Sequence, residues 1–192
     1  MRISMIGAGR VGATTLYTLL LEGGVTEMVV VDVDKPRAEG EALDLRHALA
    51  LTQNCKIVAG DYDAVEGSDM VIITAGIPRK PGDTRLDLLK RNTELMGGIL
   101  EGVLKYNQDC FIFMVSNPVD VLTYQALKAS GFPPNRVFGL GTVLDTNRFR
   151  SLLGERLGVS PDQVSAYMLG EHGDSMVPVV STATVAGIPL ER

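Results

Sequence analysis

Tryptophan is absent from this sequence of 192 residues, and cysteine and histidine are scarce, with two of each. Two cysteines, Cys55 and Cys110, are too few for a disulfide-stapled scaffold. Each leads into an apolar run (Cys-Lys-Ile-Val and Cys-Phe-Ile-Phe), the setting of a buried, reduced thiol, and this cysteine usage points to the cytoplasm. The histidines, His47 and His172, have no ligand-type spacing to each other or to cysteine, so no metal is expected. Positive charge is in deficit: 18 Lys and Arg against 23 Asp and Glu give a net −5. That balance argues against a nucleic-acid partner, which would need a basic stripe. No apolar run approaches the ~18 residues of a membrane span. The first seven residues read as a strand running into glycine, not as a signal peptide.

What remains is a chain with 45% hydrophobic and 21% charged residues and a mean hydropathy of +0.16, which excludes disorder. Apolar, β-branched runs alternate with helical periodicities. Strands are predicted at 1–7, 27–32, 56–59, 70–74, 110–115 and 136–140, and helices at 10–22, 36–51, 85–106 and 118–130. In the second helix Ala38, Ala42, Leu45 and Leu49 share one face. His47 lies on that helix beside Asp44 and reads as a surface or subunit-facing residue. Strands apolar throughout and separated by helices imply parallel pairing with right-handed crossovers. The predicted fold is therefore α/β: a doubly wound parallel sheet over 1–141, followed by the first part of an α+β domain over 142–192. That second part is read as a helix at 143–158, a strand at 163–169 and a short apolar run at 176–180.

The six residues after the first strand, Gly7-Ala8-Gly9-Arg10-Val11-Gly12, form G-x-G-x-x-G and open a helix. In that place Gly7 permits a tight turn and Gly9 lets a pyrophosphate reach the backbone. Gly12 lets helix and strand pack closely, while the helix N-terminus and Arg10 face the anion. Asp32 ends the second strand about 20 residues after Gly12, the separation of a ribose-binding acid. Its carboxylate accepts from ribose hydroxyls and, with Asp34, repels a 2′-phosphate. The expected cofactor is NAD.

Further segments carry a family resemblance. They are Ala75-Gly76-Ile77-Pro78-Arg79-Lys80-Pro81-Gly82-Asp83-Thr84-Arg85, then Val115-Ser116-Asn117-Pro118, then Gly141-Thr142-Val143-Leu144-Asp145-Thr146-Asn147-Arg148 and Gly170-Glu171-His172-Gly173-Asp174-Ser175. In order and spacing the chain resembles the L-lactate/L-malate dehydrogenase family from end to end. The resemblance implies hydride transfer between NAD(H) and a 2-hydroxy or 2-keto acid, and it implies the following roles. His172 is the acid/base and Asp145 its carboxylate partner. Arg148 grips the substrate carboxylate, and Arg85 polarises the carbonyl from the loop at the start of the long helix. Asn117 bonds the substrate oxygen. Val11, Asn92, Val115 and Asn117 contact the cofactor along with Gly7, Gly9, Arg10, Gly12 and Asp32.

Arg79 decides the expected substrate. Lactate-type members carry an uncharged residue at the matching place, whereas malate-type members carry Arg to pair with a second carboxylate. Leaving that carboxylate without a partner is costly, so Arg79 favours malate/oxaloacetate. The remaining motifs read like the lactate branch, a mixture that resembles lactate-dehydrogenase-like malate dehydrogenases and implies a homotetramer or homodimer. Allosteric lactate-type members bind a sugar bisphosphate through an Arg and a His. Arg150 fits the first but Ser165 stands in place of the second, so no such activation is expected. The alternatives are an L-lactate dehydrogenase, or a chain that binds cofactor without turnover. The latter arises because family members continue past the residue matching Arg192, which leaves apolar faces around 177–185 expected to be exposed.

Overall fold

Strands of the first unit are apolar on alternate residues of both faces, so each demands a helical layer above and below. In the computed structural model, which describes residues 1–52, 54–78, 82 and 84–190 (Arg85 by its backbone alone), they receive them. The elements are β1 (Arg2–Ile6), α1 (Arg10–Glu22), β2 (Glu27–Val31), α2 (Lys35–Ala48), β3 (Lys56–Ala59), β4 (Met70–Ile73), α3 (Arg85–Tyr106), β5 (Phe111–Met114), α4 (Val119–Ser130) and β6 (Val137–Gly139). All six strands are parallel, in the order β3-β2-β1-β4-β5-β6.

Alternation sorts the core into two layers. Ile3 and Met5 of β1, with Met28, Val30, Ile57 and Ile72, pack on Leu16 and Leu20 of α1 and on Ala38, Ala42 and Leu45 of α2. Ile6, with Val29, Val31, Val71, Ile73 and Met114, packs on α3 and α4 through Met96, Leu100, Val103 and Leu122. Each fully buried leucine contributes about 1.5–3 kcal/mol. The buried Ser4 breaks the apolar rule and is satisfied by the Ser68 hydroxyl at 2.6 Å.

Helix starts follow their cap residues. Asp34 accepts the Arg37 N–H at α2. Thr84 and Asp87 make a reciprocal capping box at α3. At α1 the cap is Gly9, with no side-chain bond and no acidic residue in the first turn. The predicted 36–51 helix ends at Ala48 and tightens into a 3-10 turn over Leu49–Leu51.

The strand ends are level. Ile6 stands opposite Val31 and Ile73, and Ile73 opposite Met114. The glycine turn, Asp32, the 74–78 segment and the 115–117 segment therefore leave the sheet at one edge, beside the β1/β4 switch point where the strand order reverses.

The chain divides into compact units Met1–Gly139 and Leu140–Arg192. The second is built on α5 (Val143–Leu157), β7 (Val164–Ser165), β8 (Met168–Leu169), β9 (Val177–Pro178), β10 (Thr184–Val185) and β11 (Ile188–Pro189). The single strand predicted at 163–169 is in fact two. β7 pairs with β10 and β8 with β9, so the chain changes partner at Ala166-Tyr167. The β10–β11 hairpin was not expected. Its turn, Ala186-Gly187, takes positive φ at both residues. The expected exposure around 177–185 is partial: Val177 and Val180 are exposed, but Ala183 is buried against Val164 and Ala166. Among the described residues no helix is long and apolar enough to cross a membrane.

Candidate active site

The glycine turn is fixed by its neighbours. Gly7 has φ +106°, and a Cβ there would lie 2.6 Å from the Ala75 nitrogen. A Cβ on Gly12 would lie 1.9 Å from the Gly7 carbonyl oxygen. Gly9 differs: nothing lies within 4 Å of where its Cβ would be. This open space lies at the start of α1, where the N-cap residue supplies no side-chain hydrogen bond and the first turn carries no acidic residue. A pyrophosphate fits that setting by shape and by charge.

Asp32 is half-buried and ties two backbones together. Its Oδ2 accepts the Ala8 N–H at 2.6 Å and its Oδ1 the Asp34 N–H at 2.9 Å. Each oxygen keeps a lone pair for a ribose hydroxyl. Nearby cations are already paired, Lys35 with Asp61 at 2.6 Å and Arg37 with Asp34 at 3.2 Å. The Asp61 carboxylate holds the Lys35 ammonium above its ordinary pKa. Neither cation is left open to a 2′-phosphate.

Two adjoining hollows run along the sheet edge. One, of about 760 Å³, is bordered by Gly7, Gly9, Asp32, Tyr62 and Ile99. The other, of about 380 Å³, is bordered by Val11, Asn92, Val115 and Asn117. They share Thr74, Gly76 and Ile77. The first unit thus gathers Gly7, Gly9, Val11, Asp32, Asn92, Val115 and Asn117 along one cleft. Arg10 is exposed in the first turn of α1. Arg79 lies outside the described residues, as does the side chain of Arg85, whose backbone opens α3. The Asn117–Pro118 bond is cis.

In the second unit, Asp145 occupies the first turn of α5 and is 6% exposed. Its Oδ2 lies 2.5 Å from His172 Nδ1, and its Oδ1 accepts from Arg148 Nη1 at 3.2 Å. One buried carboxylate therefore orients both a histidine and an arginine. The contact turns Nδ1 toward the carboxylate and places Nε2 on the opposite side of the ring. His172 sits just past β8, after Gly170 at φ +105°. Two threonines missed by the sequence reading hold this loop's base. Thr142 Oγ1 donates to the Met168 carbonyl at 2.7 Å, and Thr146 Oγ1 accepts the Met168 N–H at 3.0 Å. Their i, i+4 spacing at a helix start was the available signal.

A six-stranded parallel sheet in this order, with a glycine turn and an acid at the end of β2, defines a dinucleotide-binding domain of the kind oxidoreductases use. Comparison with known proteins agrees. Residues 1–139 match the NAD binding domain of lactate/malate dehydrogenases, and residues 142–192 match their alpha/beta C-terminal domain. The chain belongs to the lactate/malate dehydrogenase family, and NAD is its cofactor. Over 191 residues it is 50% identical to an L-lactate dehydrogenase of Acetivibrio thermocellus, covering all of this chain and 60% of that protein. It is 48% identical to a probable L-lactate dehydrogenase of Schizosaccharomyces pombe, covering 98% of this chain and 57% of the relative. Among solved structures it resembles a minor L-lactate dehydrogenase from Enterococcus mundtii (TM-score 0.94, 42% identity, 99% of this chain and 61% of that one). It also resembles a malate dehydrogenase from Salinibacter ruber (TM-score 0.89, 44% identity, 98% and 60%). The chain spans about 60% of the length of these relatives.

Proposed function

We propose that this chain carries the cofactor cleft and the acid/base group of an NAD-dependent 2-hydroxy-acid dehydrogenase acting on malate and oxaloacetate. The observation that carries the reading is the shared carboxylate of Asp145, which joins His172 to Arg148. In this reading the planar Arg148 guanidinium takes the substrate carboxylate through two parallel hydrogen bonds. His172 Nε2 removes the hydroxyl proton in oxidation and returns it to the carbonyl oxygen in reduction, while Asp145 stabilises the imidazolium. Arg85 polarises the carbonyl and Asn117 donates to the same oxygen. Arg79 pairs with the second carboxylate. When bound in this cleft, the cofactor would supply the hydride acceptor for oxidation as NAD and the hydride donor for reduction as NADH. The Gly7–Gly12 turn, Arg10, Val11, Asp32 and Val115 hold the cofactor. The assembled protein is read as a cytoplasmic homotetramer or homodimer.

A second reading, lactate/pyruvate, is favoured by the relatives named L-lactate dehydrogenase at 48–50% identity. Steady-state oxidation of NADH with each keto acid separates the two. Oxaloacetate is expected to exceed pyruvate by at least ~100-fold in kcat/KM, and Arg79→Gln to shift the preference toward pyruvate. Equal rates in the unsubstituted chain would sink the role of Arg79. NADH binding without turnover of either acid assigns this chain cofactor capture alone.

A further inference from the structure

Asn92 lies on α3 facing the cleft and is 3% exposed. The resemblance makes it a cofactor contact, yet its carboxamide is committed to protein backbone. Oδ1 accepts the Ile77 N–H at 2.8 Å. Nδ2 donates to the Ile77 carbonyl at 3.2 Å and to the Asn117 carbonyl at 2.9 Å. A carboxamide nitrogen has two hydrogens, and both are used. Only one lone pair on Oδ1 remains for a ligand.

The segments it joins have left the sheet. The β4–β5 ladder ends at Ile73 and Met114. Beyond it, the Ser116 hydroxyl donates to the Ala75 carbonyl at 2.6 Å, and Asn92 makes a further link. Asn117 is also held from its other side, because its Oδ1 accepts the Val119 N–H at 3.3 Å. Backbone and side chain of Asn117 are thereby set before any ligand arrives.

We propose that Asn92 is a positioning residue that acts through Asn117. One carboxamide clamps Ile77 to Asn117 and so presets the nicotinamide end of the cleft. This rests on the reading that Asn117 faces the nicotinamide half of NAD. A direct cofactor contact would weaken NADH binding independently of Asn117. A merely structural asparagine would weaken every ligand of the cleft alike. Acting through Asn117 predicts neither.

The test combines amide hydrogen exchange on the unliganded chain with a double-mutant cycle. Dissociation constants are measured for NADH by its own emission and for ADP-ribose by competition. The proteins are the unsubstituted chain, Asn92→Ala, Asn117→Ala and the double variant. Losing a hydrogen bond of ordinary strength corresponds to roughly tenfold. Ile77 amide exchange is expected to accelerate about tenfold or more in Asn92→Ala. NADH affinity is expected to fall about tenfold in each single variant and no further in the double variant. ADP-ribose affinity stays within about twofold throughout. Unchanged Ile77 exchange in Asn92→Ala overturns the clamp, an additive ~100-fold loss overturns action through Asn117, and an equal loss of ADP-ribose overturns the assignment to the nicotinamide end. If Asn92→Ala does not fold, Asn92→Asp replaces it. The carboxylate of that variant keeps an acceptor for Ile77 and loses both donors, so Ile77 stays protected while the non-additive loss of NADH persists. If the unsubstituted chain binds neither ligand, the cofactor reading itself fails, and Ile77 exchange still tests the clamp.

Discussion

Replacing Gly12 by alanine sets two backbone effects against each other. Gly12 is the third residue of α1 and has ordinary helical surroundings, so alanine there gains roughly 1 kcal/mol of helix propensity. Against this, the new Cβ would stand 1.9 Å from the Gly7 carbonyl oxygen and 2.9 Å from Thr74 Oγ1. The first neighbour is backbone, pinned because the Gly7 N–H donates to the Val31 carbonyl at 2.8 Å and Thr74 donates to its oxygen. It has no free rotation with which to yield. Separating the atoms takes about 1 Å of movement of α1 away from β1, and overpacking of that kind costs ~1–3 kcal/mol before any loss of burial at Leu16 and Leu20. The two figures leave a net loss of up to about 2 kcal/mol, to which any lost burial adds, and the start of α1 moves away from the pyrophosphate. Gly40 supplies the control. It lies on α2 with nothing within 4 Å of its Cβ position, so Gly40→Ala is expected to stabilise by ~0.4–1 kcal/mol. Urea unfolding followed by far-ultraviolet circular dichroism reads both, and NADH emission reads binding. If Gly12→Ala unfolds at the same urea concentration as the unsubstituted chain and keeps its NADH affinity within twofold, the packing argument is refuted.

Asp32→Asn places an N–H donor against one of two backbone donors, Ala8 or Asp34, and removes the charge that repels a 2′-phosphate. Stability is expected to fall by ~1–2 kcal/mol, and the NADPH-to-NADH ratio of dissociation constants by at least about tenfold; an unchanged ratio would remove Asp32 from cofactor choice. Burial, reinforced by Asp109 and opposed by Arg136, pushes the Cys110 thiol up from 9.0 to about 11. Iodoacetamide at pH 8 should therefore leave it unmodified in the folded chain and alkylate it in urea. Because the folded value lies above the unfolded one, the linked stabilisation is complete below pH 9. It is lost as pH rises through about 11, a change of roughly 2–3 kcal/mol that Cys110→Ala should abolish.

Much of the first unit is legible in the sequence because each strand is short, apolar and bounded by a helical period. Met-Val-Val-Val and Val-Ile-Ile have one plausible fate between amphipathic helices, and the glycine turn with Asp32 then locates the cleft. The second unit is less legible. The alternation Val164, Ser165, Ala166, Tyr167 reads as one strand, and nothing in it tells that the partner changes from β10 to β9. The Ala186-Gly187 turn lacks the Asn-Gly or Asp-Gly signal that marks such hairpins. At the site, the meeting of His172 with Asp145 was legible only through the family resemblance, since a lone histidine reads equally well as a structural one. The backbone bonds of Asn92 were not legible, because a carboxamide serves ligand or backbone equally well, and only the structure shows which one takes its hydrogens.

Lys35 and Arg37 border the cofactor cleft, yet each is already held by a carboxylate, and the chain as a whole carries −5. An incoming dinucleotide with two negative phosphates is thus repelled at long range by the net charge, so added salt, by screening that repulsion, should speed its arrival. On the proposed reading, discrimination is left to the last few ångström, where the open space over Gly9 meets the start of α1. The cleft selects its ligand by how long it stays, not by how often it arrives.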